Sequence, residues 1–149
     1  MQKIALLTSG GDSPGMNACI RSIVRSVISH NKQAVGVMRG YEGLIHDEFL
    51  DLNARSVSNI LQRGGTILKT ARSKAFMTEE GMKMAYANLC KAGIDGLIVI
   101  GGDGTFKGAV EFNKVSNIPF IGIPGTIDND LFGTDYTIGF DTALNTIIN

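Results

Sequence analysis

Three stretches of the chain combine glycine with acidic, hydroxyl or amide side chains in patterns suited to phosphate chemistry. They are Thr8 to Asn17 (TSGGDSPGMN), Gly101 to Thr105 (GGDGT) and Pro124 to Asp130 (PGTIDND). In the first, glycines let neighbouring amides point together at an anion, and a helix starting after them adds its positive end. A plain strand-to-helix turn accounts for the glycine pair equally well. In the second, Asp103 offers a hard oxygen suited to Mg²⁺, which usually binds through few carboxylates plus substrate phosphates. Thr105 can donate its hydroxyl, and the competing reading of Asp103 is a simple N-cap. In the third, Asp128 and Asp130 stand two apart. Beside a phosphate they repel it and each other, which raises the pKa of one unless cations intervene. Such a carboxylate can accept the proton of an attacking hydroxyl; a solvated acidic turn is the bland alternative.

Cations are at hand. Arg72, in the segment Lys69 to Ser73, either bridges phosphoryl oxygens and stabilises transition-state charge or is an ordinary surface arginine. Arg21 and Arg25 are four apart on a predicted helix and share a face. They are either solvated or a clamp for an anion.

The elements that position these groups follow from apolar spacing. Lys3 to Thr8 reads as a buried strand, Met16 to about His30 as an amphipathic helix with Ile20, Ile23, Val24 and Val27 inward, and Gln33 to Met38 as a second strand. Arg39 to Gly43 reads as a turn, Phe49 to Leu52 as a short edge strand, and Ser56 to Gln62 as a short helix stopped at Gly64-Gly65. Thr78 caps a helix that carries Met82, Ala85, Tyr86 and Leu89 and ends at Gly93. Gly96 to Ile100 is a strand, a helix carrying Val110 follows the GGDG turn, and Pro119 to Ile123 is the next strand. Near-continuous apolar strands alternating with helices predict an α/β fold, a doubly wound, mainly parallel sheet with helices on both faces. Each phosphate-type loop follows a strand, so all three should meet at the carboxyl edge of that sheet. Phe140 to Asn149 reads as a helix without a stop signal, and the chain is expected to be a piece of a longer protein.

Composition narrows the class. The 149 residues suffice for one core, and 14 basic residues balance 14 acidic ones. Zero net charge gives no electrostatic reason to bind nucleic acid or an anionic membrane. The apolar runs are far too short to span a bilayer, and the N-terminal run lacks the length of a secretory signal. Cys19 and Cys90 are far apart and both fall among apolar residues on predicted helices. They are expected to be buried free thiols of a cytoplasmic protein. His30 and His46 lie in polar surroundings and receive no role.

With these motifs in view, the chain resembles the bacterial ATP-dependent 6-phosphofructokinase family from end to end. The resemblance rests on the three loops above and on GYEGL (Gly40 to Leu44), RGGT (Arg63 to Thr66) and GTDYTIGFDTA (Gly133 to Ala143). It implies phosphotransfer from ATP to the 1-hydroxyl of fructose 6-phosphate with Mg²⁺ as cofactor. Gly11, Arg72, Ser73, Gly102, Asp103, Gly104, Thr105 and Gly108 would hold ATP, with Asp103 reaching the metal and Tyr41 near the base. Thr126 and Asp128 would contact the sugar phosphate. Asp128 would be the general base, Asp130 would support it, and Thr126, Arg72 and Gly11 would steady the moving phosphoryl group. Pyrophosphate-dependent relatives usually carry Asp where this chain has Gly104 and Lys where it has Gly125, so the glycines imply ATP as donor.

The resemblance further implies a homotetramer with an effector site for ADP or phosphoenolpyruvate. Arg21, Arg25, Ser58 and Asn59 match that site. Its remaining arginine is displaced by one position, to Arg55 beside Ala54. Met77 stands where arginine is frequent near the nucleotide, with Lys107 as a nearby cation. Residues 1–138 would form the first segment of the ATP- and Mg-binding domain, and 139–149 the start of a sugar-phosphate-binding domain. Because the family's second half supplies cations for the sugar's phosphate, this piece alone is expected not to turn over substrate. Two other readings stay open: another kinase with a GGDG loop, such as an NAD kinase, against which PGTIDND argues, and a non-catalytic nucleotide-binding module.

Overall fold

The structure, a computed structural model, describes residues 2–9, 15–60 and 66–124. Its framework is a five-stranded sheet of β1 (Lys3–Thr8), β2 (Gln33–Val37), β3 (Phe49–Leu52), β4 (Gly96–Gly101) and β5 (Phe120–Pro124), in the order β3-β2-β1-β4-β5. All neighbours are parallel except β2 and β3, which pair antiparallel with Val37 opposite Phe49. This is the mainly parallel α/β sheet that the alternation predicts.

Side chains alternate along the strands, so each face of the sheet buries its own set. Ile4, Leu6, Ile98, Ile100 and Ile123 point to α1 (Gly15–Ser29), which returns Ile20, Ile23, Val24 and Val27. Ala5, Leu7, Val35, Leu97 and Val99 point to the other face. There α2 (Gly40–Ile45), α3 (Glu79–Lys91) and α4 (Asp103–Phe112) pack against them. Each valine, leucine or isoleucine among them, taken fully out of water, contributes about 1.5–3 kcal/mol. Helices on both faces leave the strand ends as the open part of the molecule.

Local chemistry sets the boundaries. Thr78 Oγ1 accepts from the Gly81 amide at 3.0 Å, capping α3, while Glu79 and Glu80 lie in its first turn. Gly93 follows that helix with φ 76°, a conformation glycine adopts without a Cβ penalty.

Four expectations need correction. Gly40–Ile45 is a short helix rather than a turn. Asn88 of α3 donates to the carbonyls of Leu44 and Ile45 at 2.8 and 2.9 Å, satisfying the end of a helix too short to persist alone. Residues 54–59 form turns rather than a helix. Asn53 Oδ1 accepts from the Ser56 amide and Ser56 Oγ from the Asn53 amide, at 2.9 and 2.7 Å, so side chains take the backbone's hydrogen bonds. Cys19 is buried, but Cys90 is exposed on the outer side of α3. The strand expected over Pro119–Ile123 runs over Phe120–Pro124. The readings of Gly64-Gly65 as a stop and Phe140 to Asn149 as a helix fall outside the described residues.

Candidate functional site

The carboxyl ends of β1, β4 and β5 lie side by side. Thr8 is in register with Ile100, and Gly101 with Pro124. The Ser9 amide donates to the Ile100 carbonyl at 2.9 Å. The three glycine-bearing loops therefore leave the sheet from one edge. Gly101 is the tightest point: a Cβ there would stand 2.5 Å from the Ser9 carbonyl oxygen and 2.3 Å from Thr105 Oγ1. Only glycine lets the first loop, β4 and α4 approach this closely.

Beyond Gly101 the site opens. Gly102 is the N-cap of α4, so Asp103 is the first residue of the helix and not its cap. Gly102 has no side chain with which to satisfy the first-turn amides. A Cβ at Gly102 or Gly104 would meet nothing within 4 Å, and Gly102, Asp103 and Gly104 are all exposed. Thr105 is 4% exposed. An open helix N-terminus with an exposed carboxylate in its first turn suits a phosphate carried with a cation.

A second segment is tied to the same edge. Thr8 is fully buried and its hydroxyl donates to the Lys69 carbonyl at 3.1 Å. A hydroxyl has one proton, so Thr66 Oγ1, 3.1 Å away, donates to Thr8. Asn17 Oδ1 accepts from the Ile67 amide at 2.8 Å, and the Arg39 amide donates to the Leu68 carbonyl at 2.8 Å. These bonds fix residues 66–69, from which the chain passes to Arg72, whose side chain is exposed. Ser73 Oγ accepts from the Phe76 amide at 3.1 Å and its hydroxyl donates to Glu42. The Ser73 bond, followed by His46 at 2.7 Å and the Arg39 charge, holds the Glu42 carboxyl below its usual range.

Tyr41 and Gly108 meet inside the protein. Tyr41 is 7% exposed and stacks on Phe76 with ring centroids 4.1 Å apart. A Cβ at Gly108 would lie 3.1 Å from Tyr41 Cε2. The Tyr41 hydroxyl donates to the Thr105 carbonyl at 2.5 Å. Burial pushes the phenol far above its ordinary pKa, so it stays a donor.

The arginine pair and the 55–59 turn share one side of the sheet. Val57 and Ile60 join the core under α1, so Arg55, Ser58 and Asn59 lie on the same side of the sheet as Arg21 and Arg25. Arg25, Arg55, Ser58 and Asn59 are exposed. Arg21 is half-buried, and its Nε is a buried donor with no hydrogen-bond acceptor among the described residues.

Gly11, Thr126, Asp128 and Asp130 lie outside the described residues, as does Gly125. Among the described residues no three His, Cys, Asp or Glu side chains gather as a metal site. No helix among them is long and apolar enough to cross a membrane. For the anchoring by Thr8 and Asn17 the sequence offers one hint, two polar residues bounding the first motif beside apolar neighbours; for the Ser73–Glu42 bond it offers none.

The phosphofructokinase family model matches residues 3–149. Among curated relatives, an ATP-dependent 6-phosphofructokinase 1 of Thermus thermophilus is 57% identical over 99% of this chain and 46% of its own length. An ATP-dependent 6-phosphofructokinase of Halothermothrix orenii is 59% identical over 100% of this chain and 45% of its own. Among solved structures, phosphofructokinase from Saccharomyces cerevisiae superposes with TM-score 0.80 at 38% identity, covering 87% of this chain and 21% of that one. The chain thus spans about half the length of the curated relatives it matches.

Proposed function

This chain belongs to the phosphofructokinase family, and from that premise we propose that the whole protein transfers the γ-phosphoryl group of ATP to the 1-hydroxyl of fructose 6-phosphate. The products are fructose 1,6-bisphosphate and ADP, the committed step of glycolysis. The observation that carries this reading is the shared edge: Gly101 touches the first loop through Ser9 and lies in register with Pro124, where the acidic third loop begins.

In the reaction the 1-hydroxyl oxygen forms a bond to the γ-phosphorus, and the bond from that phosphorus to the β,γ-bridging oxygen breaks. Asp128 takes the hydroxyl proton, with Asp130 supporting its charge. Thr126 helps hold the sugar phosphate. The amides at Gly11 and at Gly102 to Thr105, together with Arg72, hold the phosphate oxygens. Asp103 would hold Mg²⁺: its carboxylate is exposed and the space beside both flanking glycines is open. When bound, the ion offsets charge on the phosphoryl oxygens. The open space at Gly104 also leaves room for the α-phosphate of ATP.

Residues 1–138 act as the first segment of the nucleotide domain and 139–149 as the beginning of the sugar-phosphate domain. The whole protein works as a cytoplasmic homotetramer. Arg21, Arg25, Arg55, Ser58 and Asn59 take ADP or phosphoenolpyruvate as effector; the unsatisfied Arg21 Nε favours an anion there.

The test is a turnover screen of the intact protein with MgATP and, separately, fructose 6-phosphate, NAD and diacylglycerol. Phosphorylation of the sugar phosphate alone is expected. Phosphorylation of NAD or the lipid instead overturns the reading.

A further inference from the structure

We propose that Asn17 is a positioning residue for Arg72: through the Ile67 amide it ties the helix that follows the first loop to the segment carrying this arginine. The inference deepens the phosphotransfer reading and rests on it, because Arg72 acts on phosphoryl oxygens only if that reading holds.

Asn17 is an unusual core residue. It is the third residue of α1 and 1% exposed, among Met16, Cys19 and Ile20, which are all buried. An amide side chain loses its water there and must find partners inside the protein. Its Oδ1 accepts from the Ile67 amide at 2.8 Å, a bond between residues 50 apart in the chain. Only the oxygen can accept, so this bond also fixes which way the side-chain amide faces.

The segment that it holds is strained. The Lys69 amide donates to the Thr66 carbonyl at 3.3 Å, closing a turn. Lys69 has φ 61°, in the left-handed region that a lysine enters against its own Cβ. Such a conformation persists where the surroundings over-determine it. Here three consecutive residues are each held by a different part of the fold. Asn17 of α1 takes the Ile67 amide, the Arg39 amide before α2 donates to the Leu68 carbonyl, and Thr8 of β1 donates to the Lys69 carbonyl.

Residues 69–73 then run outside helix and strand, and Arg72 is exposed. The direction in which the chain leaves Lys69 therefore sets where the guanidinium arrives. Asn17 supplies the tie to α1, the helix that the first loop enters. That loop and Arg72 thus keep a common position about a phosphate held between them. Misplacing such a group by about 1 Å can cost on the order of a hundredfold in rate.

The test is a double-mutant cycle in the full-length protein: wild type, Asn17→Ala, Arg72→Ala and the pair. Each is measured for kcat/KM of MgATP at saturating fructose 6-phosphate and for urea unfolding. Asn17→Ala should lower kcat/KM by about tenfold in the wild-type background. In the Arg72→Ala background it should lower it by less than about twofold. Its loss of stability should be the same in both backgrounds, since that loss does not run through the arginine. Equal losses of kcat/KM in both backgrounds overturn the inference, as does an Asn17→Ala protein with wild-type kcat/KM. If Asn17→Ala fails to fold, Asn17→Ser, whose hydroxyl is too short to reach the Ile67 amide, takes its place in the cycle. An Arg72→Ala protein as active as wild type would instead remove Arg72 from the parent reading, and this inference with it.

Discussion

Gly101 of β4 pairs in register with Pro124 of β5, and the space its missing Cβ leaves is filled by the Ser9 carbonyl and Thr105. Gly104, three residues on, faces open space. The same motif thus uses glycine for two physical reasons. Gly101→Ala should destabilise the protein by more than about 1 kcal/mol, because backbone and Thr105 must both shift. Gly104→Asp should leave the urea midpoint near wild type, since a carboxylate is welcome in a helix's first turn. It should raise KM for ATP, whose phosphates it repels. Equal destabilisation by both substitutions would contradict this division.

Thr8→Val keeps the shape of the side chain and removes its bonds to Lys69 and Thr66. Loss of these two part-buried hydrogen bonds should cost about 1–3 kcal/mol in urea unfolding. Because residues 66–69 lead to Arg72, KM for ATP should rise as well. A full-length variant with wild-type stability would show that these bonds carry no load.

Glu42 gives a pH signature. Its carboxylate is stabilised in the fold first by the Ser73 hydroxyl, then by His46 and Arg39, so its folded pKa lies below the ordinary 4.5. That contribution is fully present above the unfolded value and is lost as pH falls through the lower folded value. Glu42→Gln should therefore be less stable than wild type at pH 7, with the gap closing below about pH 4.5. A gap that persists unchanged at acid pH would sink the assignment.

Much of this was legible from the sequence, because the decisive signals are local. Apolar runs such as Ile4 to Leu7 and Leu97 to Ile100 are short and closed by glycine clusters, which favours buried strands over helices, and those clusters mark the open edge. The Thr78 cap and Gly93 stop are likewise written in adjacent residues. What could not be read depends on distant partners. Tyr41 looks like a turn residue until Phe76 and Thr105 surround it. Gly40–Ile45 lacks the length to announce a helix, and its stability comes from Asn88 on another helix. Val57 and Ile60 have helical spacing, but Asn53 and Ser56 divert the backbone into turns. At the candidate site, the sheet order sets Ser9 of the first motif against Gly101 of the second, with Pro124 of the third in register, while Gly11 and Thr126 to Asp130 lie outside the described residues.

The 149-residue chain spans 46% of its Thermus thermophilus relative. Purified alone and given MgATP and fructose 6-phosphate, it should produce no fructose 1,6-bisphosphate above the uncatalysed background. Steady turnover by the isolated chain would contradict the need for further chain at the sugar's phosphate.

The central claim is that the loop after β5 delivers a base to the phosphate held after β4. The most direct measurement is kcat for fructose 1,6-bisphosphate formation by the full-length Asp128→Ser protein, with MgATP affinity titrated alongside. The account predicts a fall of about a hundredfold or more in kcat with nucleotide affinity near wild type. A wild-type rate would contradict it.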